Sequence, residues 1–221
     1  MKPDLPYRNR SEAGRILAEA LSNYKTNPDV MVLGLTRGGV PVAAEVAGAL
    51  GAPLDVVVVR KLGVPSQPEL AMGAVSGGGV KVVDQEVVRS VGLRDKEVET
   101  VAARERVEVV RREILYRRDL PPLDLNEKIA ILVDDGLATG STMRAAVGFV
   151  RQRQAKKVVL AVPVASAQAL GKLQPEVDEC VCLATPDPFF SVGDWYWNFL
   201  PVSDDEVVKY LERSTKRVHA A

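Results

Sequence analysis

Histidine is nearly missing from this 221-residue chain: the one copy, His219, sits in a polar tail. For practical purposes that excludes a Ser–His–Asp triad, histidine acid–base catalysis and a histidine-ligated metal. Cysteine is almost as scarce. Cys180 and Cys182 lie two positions apart in a β-like run, so they point to one sheet face and cannot easily bridge. A reduced, cytoplasmic protein is the expectation. Net charge is absent, with 29 basic residues against 29 acidic ones, so nothing suggests general attraction to nucleic acid or to a membrane surface. No apolar run approaches the roughly 20 residues of a membrane span. The opening Met1-Lys2-Pro3-Asp4-Leu5 lacks the apolar core of a secretion signal. Repeats and low-complexity segments are lacking too. What remains is 47% apolar residues in a length that suits one sizeable domain, residues 1–221, with an ample core.

Those apolar residues alternate between two periods. Ala13, Ile16, Leu17, Ala20, Leu21 and Tyr24 recur at helical spacing, 30–35 reads as a buried strand, 39–50 as a helix and 54–59 as an apolar, β-branched run. Residues 71–75 and 80–83 flank Gly77-Gly78-Gly79 as a hairpin. Then follow a strand at 129–133, a helix at about 141–153, a strand at 157–162, a helix at 166–173 and a strand at 177–183. Alternation of this kind predicts an α/β fold, a central mostly parallel sheet flanked by helices. Two additions are expected: a helical insertion at about 84–118 and a structured, aromatic-rich loop segment at about 185–203. Within the insertion, a long charged helix at 94–118 has two apolar stripes, Ala103, Val107, Val110 and Ile114 on one side and Val98, Ala102 and Val109 on another. Either it is a solvated surface helix, or its second stripe meets a lid or a partner subunit, as in a homodimer. Glu108 and Arg112 form a favourable i,i+4 pair.

The most informative stretch is Ile129-Ala130-Ile131-Leu132-Val133-Asp134-Asp135-Gly136-Leu137-Ala138-Thr139-Gly140-Ser141-Thr142. A short buried strand leads to two adjacent carboxylates, and a glycine-flanked hydroxyl cluster then opens a helix. Gly136 and Gly140 permit backbone angles that let successive N–H groups point at one anion. The helix adds its positive N-terminal end. Asp134 and Asp135 would repel that anion, so the two halves must grip different parts of one ligand, which suits a sugar phosphate with a divalent cation. A Walker loop is excluded, because three residues separate the glycines and no Lys follows. The dinucleotide fingerprint fails on the spacing of Gly34, Gly38 and Gly39.

This stretch resembles the 5-phosphoribosyl-1-pyrophosphate (PRPP) motif of the type I phosphoribosyltransferase family, through Asp134 and Asp135 followed by Thr139, Gly140 and Thr142. The resemblance implies displacement of pyrophosphate from ribose C1 by a nitrogenous acceptor. Asp134 and Asp135 would hold the ribose hydroxyls and, directly or through water, Mg²⁺. Gly136, Ala138, Thr139, Gly140, Ser141 and Thr142 would surround the 5-phosphate. Ala138 stands where relatives acting on 6-oxopurines carry an acid, which counts against a hypoxanthine/guanine enzyme. The segment Arg10-Ser11-Glu12-Ala13-Gly14-Arg15 and the run Arg60-Lys61-Leu62-Gly63 carry a closer resemblance, to bacterial proteins containing a phosphoribosyltransferase domain.

Other loops complete the expectation. Thr36-Arg37-Gly38-Gly39 makes a glycine-rich strand-to-helix turn where N–H groups and the Arg37 fork suit a second anion. The resemblance places pyrophosphate there and a non-proline cis peptide at Thr36–Arg37. Arg60 and Lys61 end the next strand before a Gly/Pro-punctuated flap, where two cations would neutralise departing pyrophosphate. Phe189, Phe190, Trp195, Tyr196, Trp197 and Phe199 crowd the segment at about 185–203, which the resemblance implies is a small C-terminal hood. They form either an acceptor platform, with Phe189, Trp195 or Tyr196 stacking on a flat base, or a local core or dimer surface. Glu69, Asp187 and Asp194 are candidate bases. Two other readings remain: a PRPP-sensing regulator without useful turnover, and a hydrolase using Asp134 as nucleophile, which the Thr-Gly-Ser-Thr cradle fits less well.

Overall fold

A computed structural model of the chain describes residues 4–118, 120 and 122–218, so His219 lies outside the described residues. Five strands, β1 (Val30–Leu35), β2 (Leu54–Val57), β6 (Ile129–Val133), β7 (Lys157–Val164) and β8 (Glu179–Ala184), build the main sheet. It is all-parallel, in the order β2-β1-β6-β7-β8. Side chains alternate between two cores, as a period of two demands. Val32, Ile131 and Val159 face one core, and Leu33, Leu132 and Leu160 face the other.

On the first face lie α1 (Arg10–Ala20), α2 (Gly39–Leu50) and α7 (Asp204–Val218); on the second, α5 (Ser141–Gln152) and α6 (Ala167–Leu173). Asn9 caps α1 by accepting from the Glu12 N–H, and Ser166 caps α6 by accepting from the Ala169 N–H. The C-terminal helix α7 has no counterpart among the elements expected from sequence. It carries sparse apolar positions, of which Val207 and Leu211 are buried.

The 54–59 run is not one strand. After β2 the chain passes through Val58 into β3 (Val59–Val64), which belongs to a separate antiparallel sheet with β4 (Gln67–Ser76) and β5 (Lys81–Val83). The expected flap is therefore the tip of a β3–β4 hairpin, turning at residues 65 and 66, with its register shifted between Leu62 and Val64. The β4–β5 pair matches the predicted hairpin around Gly77–Gly79. Within the stretch expected as a helical insertion, a short helix α3 (Gln85–Ser90) precedes the long α4 (Asp95–Arg117).

Helix α4 resolves the question of the two stripes. Val98, Ala102 and Val109 are buried in the core, whereas Val107, Val110 and Ile114 are exposed. Glu108 does pair with Arg112, at 2.7 Å. At the helix end, Arg117 donates two bonds to the buried Asp55 carboxylate of β2, at 2.9 and 3.0 Å, clamping α4 to the sheet edge. No helix among the described residues is long and apolar enough to cross a membrane.

Candidate active site

The parallel strands β1 and β6 are neighbours, so their carboxyl ends deliver the two glycine-rich turns to one place. A cavity of about 280 Å³ opens there, lined by Thr36, Val59, Lys61, Asp134 to Gly140, Thr142 and Val192. The acid pair, the hydroxyl loop and one cation thus share a single space.

Close approach explains the first turn. A Cβ on Gly39 would come within 2.6 Å of the Val133 carbonyl oxygen, and one on Gly38 would collide with the Asp135 carboxylate. These glycines let α2 begin directly against the acid pair. The Thr36–Arg37 peptide is cis. Thr36 Oγ1 is buried without a hydrogen-bond partner, a donor and acceptor facing a polar cavity.

In the motif loop, Gly140 takes φ +81°, the left-handed region that a bulkier residue resists, and opens α5 with no side chain capping it. The helix therefore keeps N–H groups of its first turn for an anion. Gly136 has a different reason from the one read in sequence. Its backbone is not left-handed; a Cβ there would strike Val192 at 2.6 Å. The loop is anchored from β7: the Leu137 N–H donates to the Val164 carbonyl at 2.9 Å, and Ser166 Oγ donates to the Ala138 carbonyl at 2.8 Å. Thr142 lines the cavity, while Ser141 faces a smaller neighbouring hollow with Arg144 and Lys172.

The acid pair is electrostatically uncomfortable alone. Burial, and then the adjacent Asp135 carboxylate, push Asp134 well above the ordinary carboxylate range. Burial raises Asp135 as well, against the pull of Arg10, whose Nε donates to Asp135 Oδ2 at 2.8 Å. Arg10 also donates to the Leu200 carbonyl at 2.9 Å and lies 3.8 Å from the Phe199 ring centroid. The sequence marks Arg10 only as the start of a segment carrying the resemblance; its contact with Asp135, 125 positions away, has no local signal. Among the described residues no three His, Cys, Asp or Glu side chains converge as a metal cage. Two carboxylates beside an anion cup fit a hard cation that takes its other ligands from water and a bound phosphate.

Several predicted site residues sit elsewhere. Arg60 and Lys61 alternate across β3, so Lys61 faces the cavity while Arg60 turns away and bonds the buried Glu105 of α4 at 2.9 Å. Arg37 reaches Asp204 of α7 at 3.3 Å and does not line the cavity. Tyr196 is no stacking platform: it is 6% exposed, packed between Tyr7 and Phe199, and its hydroxyl donates to the Asp135 carbonyl at 2.6 Å. Phe189 and Trp195 lean on each other, centroids 6.1 Å apart, and the buried Trp195 Nε1 has no partner. The aromatics presented to solvent are Phe190 and Trp197. Asp194 accepts from the Ser191 N–H, and neither it nor Asp187 lines the cavity. Glu69 lies on β4, its side chain outside what the structure describes.

Comparison with known proteins meets this geometry. Residues 8–206 match the phosphoribosyl transferase domain family. A protein of Mycobacterium tuberculosis, named for an inferred phosphoribosyl transferase activity, is 49% identical over 208 residues, covering 94% of this chain and 47% of that protein. The chain thus spans about half the length of the curated relatives it matches. The crystal structure of TT1426 from Thermus thermophilus is 43% identical with a TM-score of 0.78, covering 95% of this chain and 99% of that one. A hypothetical protein from Neisseria gonorrhoeae, solved with bound ppGpp, shares the fold at 17% identity, with a TM-score of 0.52 and coverage of 96% and 98%. With the acid pair and the hydroxyl loop at the end of β6 and the match running through both glycine-rich turns, the chain belongs to the phosphoribosyl transferase domain family.

Proposed function

We propose that this cavity binds PRPP and that the chain transfers its phosphoribosyl group to a nitrogenous acceptor, releasing pyrophosphate. The observation that carries the reading is the sharing of one cavity by the acid pair, the uncapped start of α5, the unpartnered Thr36 hydroxyl and Lys61. No simple anion site needs two carboxylates, and no cation site needs a helix N-terminus.

Each group then has a task. Asp134 and Asp135 accept hydrogen bonds from the ribose hydroxyls, which gives two buried carboxylates the donors they otherwise lack beyond Arg10 and the Asp135 N–H. The N–H groups and hydroxyls of residues 138–142 take the 5-phosphate. Thr36, the turn N–H groups and Lys61 take the pyrophosphate. Asp134 and Asp135 would hold Mg²⁺ directly or through water, and the ion would supply neutralisation of pyrophosphate charge. As the C1–O bond breaks, the ribose gains oxocarbenium character and negative charge grows on the leaving group. Lys61 stabilises that charge where it develops, and the clamped acids keep C1 aligned with the acceptor. Arg10 and Tyr196 are positioning residues: one holds the Asp135 carboxylate, the other its carbonyl.

A second reading, a PRPP sensor, draws on one specific observation: Glu105 and Asp204 hold Arg60 and Arg37 outside the cavity lining, leaving fewer cations for the leaving group. Labelled PRPP incubated with Mg²⁺ and a panel of bases separates the cases. Base-dependent pyrophosphate release establishes the transferase, base-independent release a hydrolase, and tight binding without release the sensor.

A further inference from the structure

We propose that Asp204 is a positioning residue for the Thr36-Arg37-Gly38-Gly39 turn, setting pyrophosphate affinity through Arg37 without touching the ligand. The inference rests on the reading of that turn as the pyrophosphate site. Little besides backbone holds the turn in place. Gly38 and Gly39 have no side chains, and the Thr36 hydroxyl is buried without a partner. Arg37 is therefore the one side chain that ties the turn to another element. Its Nη1 donates to Asp204 Oδ1 at 3.3 Å, across 167 positions, and this is its one ion pair among the described residues. Asp204 itself does not line the cavity.

The carboxylate is an anchored point, fixed from two sides. Asp204 is the first residue of α7, and that helix start is locked by a capping box. The Ser203 N–H donates to Glu206 Oε2 at 2.8 Å, and the Glu206 N–H donates to Ser203 Oγ at 3.2 Å. From α4, the buried Tyr116 hydroxyl donates to Asp204 Oδ1 at 2.7 Å and Arg111 Nη2 donates to Oδ2 at 3.3 Å. Burial alone would raise the titration of Asp204, but the Tyr116 and Arg111 bonds outweigh it and hold the group below the ordinary carboxylate range. Charge makes the tie specific to Arg37. Arg111 and Arg112 also face Asp204, yet Glu108 pairs with both, at 2.8 and 2.7 Å. Removing the carboxylate leaves those two neutralised and strands Arg37 beside them, so the loss falls on the turn.

Isothermal titration of the full chain with three probes separates this role from a general loosening. Pyrophosphate meets the turn, ribose 5-phosphate meets the acid pair and the hydroxyl loop, and PRPP meets both. Asp204→Asn keeps an acceptor for Tyr116 but loses the charge. Pyrophosphate and PRPP, each with Mg²⁺, should bind it about tenfold more weakly, the size of one charge-assisted contact. Ribose 5-phosphate should bind it as it binds the parent. Arg37→Gln should reproduce the pattern, the double variant should be no weaker than either single one, and Asp204→Glu should recover part of the loss. Equal weakening of all three probes makes Asp204 merely structural and overturns the proposal, as does unchanged or tighter pyrophosphate binding. A parent chain that binds none of the probes overturns the reading of the cavity, and this inference falls with it.

Discussion

A one-position difference separates the two cations at the start of β3, and strand alternation makes it decisive. Lys61 faces the cavity, whereas Arg60 is committed to Glu105. Isothermal titration should therefore find PRPP binding at least about tenfold weaker in Lys61→Ala, the loss of one charge-assisted contact, and nearly unchanged in Arg60→Ala. Asp135→Asn keeps the size of the side chain but removes the charge that Arg10 and the ribose site share. The same titration should show a loss of about 2 kcal/mol or more in PRPP affinity, and unchanged affinity would remove the ribose role. At this scale the acid pair and Thr139, Gly140 and Thr142 were legible because their geometry is set by a dozen consecutive residues. The orientation of Arg60 and the burial of Tyr196 were not, because they depend on strand register and on packing against Tyr7.

Ser166 connects two elements, capping α6 through the Ala169 N–H while bonding the Ala138 carbonyl of the motif loop. Ser166→Ala should cost about 1 kcal/mol in chemical denaturation, the value of an N-cap, and should loosen the loop, seen as faster amide exchange at residues 137–141. Just before β8, Asp178 accepts from the Val158 N–H at 2.7 Å and pairs with Arg151 at 2.8 Å. The backbone bond first, then Arg151, depress its titration below the ordinary range. The native state therefore binds fewer protons than the unfolded chain, so the stabilisation is fully present above about pH 4 and fades as pH falls through the native value. Melting temperatures of Asp178→Asn should lie below those of the parent at pH 7 and converge with them in acid. Most elements were readable from period alone. The break between β2 and β3 was not, since a continuous apolar run is equally good in one strand or in two that switch sheets. Helix α7 escaped because few apolar positions mark its buried face.

Across the whole molecule, the two distant segments that flank the site are zipped together. The Tyr7 N–H donates to the Trp195 carbonyl at 2.9 Å, the Trp197 N–H to the Tyr7 carbonyl at 2.8 Å and the Asn198 N–H to the Arg8 carbonyl at 3.0 Å, while Arg10 reaches Leu200 across 190 positions. Tyr7 itself is fully buried and donates to the Pro163 carbonyl at 3.2 Å. Tyr7→Ala should cost about 3–5 kcal/mol, as for other large buried rings. Hydrogen exchange should then accelerate together at residues 5–10 and 193–200 rather than in either alone. No local pattern announces contacts of such separation, which is why the aromatic segment was legible as a cluster but not as a structure.

That zipper is made largely of main-chain groups, so it constrains the path of the aromatic segment and says little about what its outward side chains must be. Phe190, Trp197 and Leu200 project from a scaffold that does not depend on them. The segment is thus an exchangeable cassette. Libraries randomised at those three positions should fold and melt like the parent, because the strand-like pairing beneath them is carried by backbone groups.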